Sequence, residues 1–188
     1  MGADRKILLH ACCAPCACAS VERLLQEGYK VTLFFSNSNI APEEEYYKRL
    51  HDAKKWADIL GIPFEEDEYN HQDWLEHIKG LEDEKETGKR CLKCFAYRLA
   101  KTAQKADKIG FSLFSTTLTL SPFKSSKAIF EIGKAFVKYL AMDFKKKDGF
   151  KRSLELSEQY QLYRQNYCGC EFSLRTKAKS EDALPAAT

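Results

Sequence analysis

No run of apolar residues in the chain approaches the roughly 20 that a bilayer span requires, so a membrane protein is not expected. The start, Met1-Gly2-Ala3-Asp4-Arg5-Lys6, leads into too few apolar residues before His10 to read as a secretory leader. Met1-Gly2 looks superficially like a myristoylation start, but Lys6 stands where that signal needs Ser or Thr. A cytoplasmic location is therefore expected. There is no G-x-G-x-x-G, no Walker sequence and no H-E-x-x-H, which excludes nucleotide-phosphate binding and zincin chemistry by those routes. No internal repeat is present. Charge of one sign is also scarce in excess: a net charge of +3 permits nucleic-acid binding but does not demand it.

What is present is cysteine. Eight thiols in 188 residues fall well below the density of small secreted disulfide scaffolds, and 44% hydrophobic residues suffice for a core without crosslinks. In a reducing compartment, closely spaced cysteines more often ligate metals or exchange electrons than staple a fold.

The surrounding pattern is that of an α/β protein. Lys6 to His10 reads as a buried strand that ends in a cysteine-rich turn. Beyond Pro15, Val21, Leu24 and Leu25 recur at helical spacing, with Gly28 as the stop. Tyr29 to Phe35 is β-branched and aromatic, a second strand, and runs into the polar loop Ser36-Asn37-Ser38-Asn39-Ile40. Pro42 opens a helix to about Leu60, closed by Gly61. Strand, helix, strand, helix in this order predicts a parallel sheet. Further on, the sequence predicts a short strand at 62–66, a helix over Asn70 to Lys79 and a Glu-rich loop from Leu81 to Gly88. A long helix should follow from Arg90 to about Asp107, then a strand over Phe111 to Thr116. Ile129, Phe130, Ile132, Phe136, Val137 and Leu140 predict one more helix, and Ala141 to Phe144 a final strand. The expected fold is α/β, a Rossmann-like parallel sheet flanked by helices with a mostly helical C-terminal segment. Residues 1–176 would form one α/β domain, and 177–188 a tail with too little to bury to be ordered.

The first cysteine cluster, Cys12-Cys13-Ala14-Pro15-Cys16-Ala17-Cys18, directly follows the first strand, where open α/β sheets bind ligands. Cys16 and Cys18 would lie near a helix N-terminus, which favours thiolate. The second cluster is Cys91-Leu92-Lys93-Cys94; its two sulfurs share a helix face, and with Cys12 and Cys13 they make four thiolates. Zinc and an iron–sulfur cluster both use four thiolates. Adjacent Cys12-Cys13 makes a poor zinc knuckle, because neighbouring side chains should point apart, and suits a larger cluster better. The third cluster is Cys168-Gly169-Cys170, whose spacing allows a small strained disulfide of the labile, catalytic kind, or else further metal ligands. Lys145-Lys146-Lys147, Lys151 and Arg152, with Phe144 and Phe150 interleaved, form the densest basic run, either a solvated face or a phosphate-contacting one.

Taken in order along nearly the whole chain, these motifs resemble the epoxyqueuosine reductase QueH family. The resemblance begins at Leu8-Leu9-His10-Ala11-Cys12-Cys13-Ala14-Pro15-Cys16 and continues through Phe35 to Pro42, Glu45-Tyr46 and Arg49. It passes through Cys91-x-x-Cys94 with Arg98-Leu99, Thr116-Thr117-Leu118 with Ser121-Pro122, and Asp143-Phe144. It ends with Gln165-Asn166-Tyr167-Cys168-Gly169-Cys170. The loop at Ser36 to Ile40 departs from the tyrosine-asparagine-proline-like start expected there, which bears on substrate contact alone. The resemblance implies reduction of the epoxide of epoxyqueuosine at the wobble position of tRNA, giving queuosine. It also implies that Cys12, Cys13, Cys91 and Cys94 hold a [4Fe–4S] cluster and that Cys168 and Cys170 are a catalytic redox pair. Cys16 becomes a candidate ligand of a second, adjacent iron. The implied partners are the anticodon arm of a tRNA carrying epoxyqueuosine, met by Lys145 to Arg152, and an unidentified electron donor. Two other readings compete: a non-catalytic zinc-binding module that binds RNA, which leaves Cys168 and Cys170 unexplained, and a metal-free thiol oxidoreductase.

Overall fold

The computed structural model describes residues 5–174; the tail expected at 177–188 lies outside them. Four parallel strands form one sheet in the order β3-β2-β1-β4, where β1 is Lys6–Ala11, β2 Lys30–Phe35, β3 Phe64–Glu66 and β4 Phe114–Thr116. The strands alternate with helices α1 (Ala14–Gln26), α2 (Glu43–Leu60), α3 (His71–Ile78) and α4 (Lys89–Lys108). A 3-10 turn over Thr117–Leu120 leads to α5 (Ser126–Gly133), and α6 (Gly149–Gln159) follows.

The sheet is buried on both faces, as an all-parallel sheet must be. Ile7, Leu9 and Ala11 of β1 share one core with Val31, Leu33 and the apolar side of α1, against which Leu156 of α6 packs. Leu8 points the other way, to Phe34, Phe114, the α4 residues Phe95 and Leu99, and Ile129 of α5. This two-residue alternation sorts successive side chains into two helical layers. Helix stops follow the glycines: Gly61 has the left-handed φ of +62° that lets its N–H return to the last turn of α2.

Register places the functional edge. Ala11 pairs with Phe35 and His10 with Thr116, so the chain leaves β1, β2 and β4 at the same C-terminal edge. There Cys12, Ser36 and Thr117 emerge side by side. Strand order reverses between β1 and β4, and the crevice at such a reversal is the ligand site of open α/β sheets.

Two expected elements differ. The helix anticipated through Leu140 stops at Gly133, because the Tyr139 ring lies where a Cβ on Gly133 would be, and the chain turns back beneath it. Phe136 packs against the α4 face while Val137 is fully exposed, although both fit a helical stripe. The final strand at 141–144 does not form; the segment just before it joins the sheet edge instead, through a single parallel bridge between Phe114 and Tyr139.

Candidate metal centre

Three thiols converge where β1 becomes α1. The ligand atoms of Cys12, Cys13 and Cys16 all lie within 4.8 Å of one another, the one such group of His, Cys, Asp or Glu among the described residues. Cys13 is the residue capping α1, with extended backbone (φ −175°, ψ 164°), and Pro15 fits the first turn because no N–H is needed there. Cys13 and Cys16 are three residues apart and so share a helix face. The divergence expected of adjacent cysteines does not occur: the strand-to-helix junction turns Cys12 toward Cys13, with the two Sγ atoms 3.8 Å apart. Cys18 lies elsewhere. Its thiol donates to the Pro15 carbonyl (3.1 Å), and it packs in the core on the other face of the sheet.

The trio is held from several directions. The Cys12 N–H donates to Thr117 Oγ1 (3.2 Å), and that hydroxyl in turn donates to Cys12 Sγ (3.5 Å). Gln165 Nε2 donates to Cys13 Sγ at 3.1 Å. Buried Arg98 of α4 bonds Asn37 Oδ1, and Asn37 Nδ2 donates to the Ala11 carbonyl (2.8 Å), which fixes the backbone just ahead of Cys12. Within the trio, hydrogen bonds from Cys13 and Cys16 pull the Cys12 pKa well below an ordinary thiol, against burial and with help from Arg98 and Lys124. The partners carry the opposite shift: bonding to Cys12 pushes Cys13 up to about 12 and raises Cys16 as well. The hydrogen bonding thus favours the anionic form at Cys12 over Cys13 and Cys16.

His10, fully buried, is a structural histidine. Burial first and then Arg98 lower its pKa to about 3, so it is neutral. Its Nε2 faces the Ser36 carbonyl (3.2 Å) and must carry the proton. Nδ1 then accepts from Thr116 Oγ1 (2.8 Å), whose oxygen takes the Leu118 N–H (3.2 Å).

The other candidate cysteines form a second neighbourhood. Cys91 packs against the same core as Cys12 and Cys13, and the Thr87 N–H donates to its sulfur (3.2 Å). Cys94 shares a cluster with Trp74, Tyr97, Cys170 and Phe172. Burial pushes Cys94 up to about 12 and raises Cys91 and Cys170 too, with the neighbouring sulfurs of Cys168 and Cys170 adding to the shift at Cys91 and Cys94. All eight cysteines are free thiols. Gly169, at φ +142°, permits the Cys-Gly-Cys turn, and a Cβ there would crowd Arg49 Nη1, Ile40 and Asn39 at 3.1–3.3 Å. Arg49, 1% exposed, donates to the Cys168 carbonyl (2.9 Å) and pairs with Glu45 (2.7 Å). On the other flank His71 Nε2 bonds Glu171 (3.1 Å), and Trp74 contacts Phe172. The Glu171 bond raises the His71 pKa against partial burial.

Cys12, Cys13 and Cys16 thus come together, Cys91 adjoins their wall, and Cys94 lies with Cys170. This donor set of thiols alone, in an apolar wall of Phe34, Phe95, Leu99 and Leu118, is consistent with iron–sulfur binding. Sequence patterns gave no functional role to Arg49, Arg98, Lys124 or Gln165. Arg49, Arg98 and Gln165 stand inside the motifs quoted above, while Lys124 has as its signal only its place three residues after Ser121. The basic run is partly spent: Arg152 is paired with Glu22 (2.7 Å) and Glu155 (3.1 Å), whereas Lys146, Lys147 and Lys151 are exposed. Among the described residues no helix is long and apolar enough to cross a membrane.

Among solved structures the fold is similar to the U34-tRNA thiolase NcsA of Methanococcus maripaludis, solved with its [4Fe-4S] cluster. The TM-score is 0.59 at 14% identity, covering 96% of this chain and 67% of that one. It is also similar to a predicted subunit of tRNA methyltransferase from Methanocaldococcus jannaschii, with TM-score 0.56 at 16% identity over 80% and 75% of the two chains. At such identities the likeness concerns the fold. Sequence relatives are nearer. Epoxyqueuosine reductase QueH of Streptococcus pyogenes is 42% identical over 90% of this chain and 70% of its own length. That of Thermotoga maritima is 36% identical over 89% and 90%. The family model described as epoxyqueuosine reductase QueH matches residues 7–176, and with these relatives it shows that the chain belongs to the epoxyqueuosine reductase QueH family.

Proposed function

We propose that this chain reduces the epoxide of epoxyqueuosine, at the wobble position of tRNA, to the alkene of queuosine. The observation that carries the reading is the convergence of Cys12, Cys13 and Cys16 at the strand-order reversal, in a chain of this family. The likeness to a tRNA thiolase solved with a [4Fe-4S] cluster supports the same class of cofactor. Residues 1–176 then act as one α/β iron–sulfur unit, working where tRNA is, in the cytoplasm.

In this reading Cys12, Cys13, Cys91 and Cys94 would hold a [4Fe–4S] cluster, and Cys16 would be free to ligate a second iron beside it. Such a group, when bound, supplies single-electron transfer and Lewis acidity toward oxygen. The chain's own residues do the rest. Reduction breaks both carbon–oxygen bonds of the epoxide, forms the carbon–carbon double bond and releases the oxygen as water, consuming two electrons and two protons. Cys168 and Cys170, on becoming a disulfide, give up two electrons and two protons, and an external reductant restores the dithiol. Arg49 and Gly169 hold that pair against the loop from Asn39 to Ala41, while Arg98 and Asn37 fix the trio's backbone. Exposed Lys146, Lys147 and Lys151 would meet phosphates of the anticodon arm.

The test is metal content and visible absorption of anaerobically purified protein, followed by turnover of tRNA carrying epoxyqueuosine. About four irons and four sulfides, broad absorbance near ~400 nm and queuosine as product are expected; iron in excess points to the second metal. A colourless protein with stoichiometric zinc and no turnover overturns the reading in favour of a zinc-binding RNA module. For the tRNA contact, charge reversal at Lys146 and Lys151 should weaken binding and flatten its salt dependence; unchanged, salt-insensitive binding removes that segment from the interface.

A further inference from the structure

The loop of residues 121–125, between the 3-10 turn and α5, carries two side chains that neither packing nor the chemistry above accounts for. Phe123 is 80% exposed. Lys124 is half-buried, yet its ammonium has no hydrogen-bond or ion-pair partner among the described residues. The loop leaves the 3-10 turn whose Thr117 is bonded to Cys12, which sets it beside the thiol site, with the Lys124 charge near the sulfurs of Cys168, Cys12 and Cys16.

The loop is held at three points. The Lys124 N–H donates to the Ser121 carbonyl (3.3 Å), and the Lys124 carbonyl accepts from Lys145 Nζ (2.6 Å). Ser125 Oγ accepts the Ala128 N–H (3.2 Å) and so caps α5. Phe123 is thus presented to solvent on a fixed turn rather than on a loose one. Lys145, which pins it, opens the basic run whose Lys146 and Lys147 are exposed. A pinned, exposed aromatic ring next to an unpaired ammonium, on a loop tied to a run of lysines, matches the chemistry of single-stranded RNA. The ring takes the face of an unstacked base, and the cations take the phosphates on either side.

We propose that residues 121–125 are the base-stacking element of the substrate site, with Phe123 stacked on an anticodon-loop base next to the modified nucleoside and Lys124 against the adjoining phosphate. The assignment rests on the tRNA reading above and adds to it a specific contact. Holding the neighbouring base on Phe123 keeps the modified nucleoside unstacked, as an enzyme acting on a base requires, and delivers it past Lys124 toward the thiols. Phe123 is a positioning residue; it touches no reacting atom.

The test compares the cluster-loaded wild type with Phe123→Ala and Phe123→Trp, using a fluorescently labelled anticodon stem–loop RNA read by anisotropy. Loss of one base–aromatic stack predicts that Phe123→Ala binds about tenfold more weakly, while Phe123→Trp binds like wild type and its indole emission is quenched by the RNA. In turnover, KM for the tRNA should rise by the same factor in Phe123→Ala with little change in kcat, and the visible spectrum should be unaltered. Wild-type turnover combined with Phe123→Ala binding and KM within about twofold of wild type would overturn the stacking role and leave the reductase reading intact. A wild type that neither binds the stem–loop nor reduces tRNA-borne epoxyqueuosine overturns both.

Discussion

The two thiol neighbourhoods are built in opposite ways. Cys12, Cys13 and Cys16 come from five consecutive residues at the end of a central strand, and the strand-to-helix junction alone nearly aligns them. Cys94 and Cys170 meet only because a helix and a distant, largely irregular C-terminal segment are docked together, through Arg49 on one flank and His71 with Trp74 on the other. The first neighbourhood inherits the rigidity of the sheet; the second depends on side-chain bonds that can be removed one at a time. Under the proposed roles, a rigid ligand platform beside a separately docked dithiol would suit a site in which one part holds electrons and the other is re-reduced from outside.

The sharpest way to break this contrast is to remove a sulfur from each side. Cys12→Ser should cost most of the bound iron and sulfide, with turnover falling by about a thousandfold or more. Cys168→Ser should lose turnover to a similar degree while keeping iron, sulfide and visible absorbance. Metal analysis beside single-turnover assays separates the two, and iron loss in Cys168→Ser would make the C-terminal thiols ligands instead of a redox pair.

Next in size is the docking itself. Arg49→Met removes the buried donor to the Cys168 carbonyl and the partner of Glu45, whose second support is the Tyr163 hydroxyl (2.9 Å). A loss of about 2–3 kcal/mol is expected in denaturant unfolding. Alkylation of Cys168 and Cys170, read by mass spectrometry, should accelerate much more than that of Cys12 or Cys13. Equal acceleration at all four would mean that the two neighbourhoods open as one unit.

The same contrast explains what could be read from sequence. The first half was legible because each element ends in a residue with one physical meaning: Gly28 and Gly61 in positive φ, Pro15 and Pro42 at helix starts. The trio was legible only in part: spacing puts Cys13 and Cys16 on one helix face, but adjacent Cys12 and Cys13 should point apart, and only the strand-to-helix junction turns them together. After Gly133 the pattern misled, because Phe136, Val137 and Leu140 keep a helical period that the Tyr139 ring over Gly133 overrides. The supports of the site were hidden for a different reason. Gln165 reaches Cys13 across 152 positions and Arg49 reaches Cys168 across 119, and no local periodicity encodes such contacts.

A smaller effect should come from pH. The Glu171 bond raises the His71 pKa, so the folded state binds the proton more tightly than the unfolded chain. That stabilisation is fully present below the unfolded histidine value of about 6.5 and is lost as pH rises through the higher folded value. The melting temperature of wild type minus that of His71→Gln should therefore be largest at acidic pH and shrink above about pH 6.5. A difference that grows with pH would show that His71 supports the C-terminal segment as a neutral ring.

The smallest and most discriminating comparison replaces one hydroxyl on each side. Thr117→Val is close to isosteric, yet it leaves the buried Cys12 N–H without its acceptor and takes the hydroxyl donor from Cys12 Sγ. A cost of about 1–2 kcal/mol is expected, because a stranded buried donor loses its full desolvation. Ser173→Ala removes a hydroxyl that donates to the Cys170 carbonyl (2.8 Å) and accepts weakly from its thiol (3.7 Å). Since the Cys170 carbonyl keeps the Ser173 and Leu174 N–H donors (3.1 and 3.3 Å), this change should cost less than about 1 kcal/mol. The redox readouts should divide in the same way. Hydrogen bonds to sulfur raise the potential of an iron–sulfur centre, so Thr117→Val should lower the potential measured on the iron-loaded protein, and Ser173→Ala should leave it unchanged. If instead Ser173→Ala shifts that potential and Thr117→Val does not, the electrons reside on the C-terminal side, and the roles assigned to the two neighbourhoods must be exchanged.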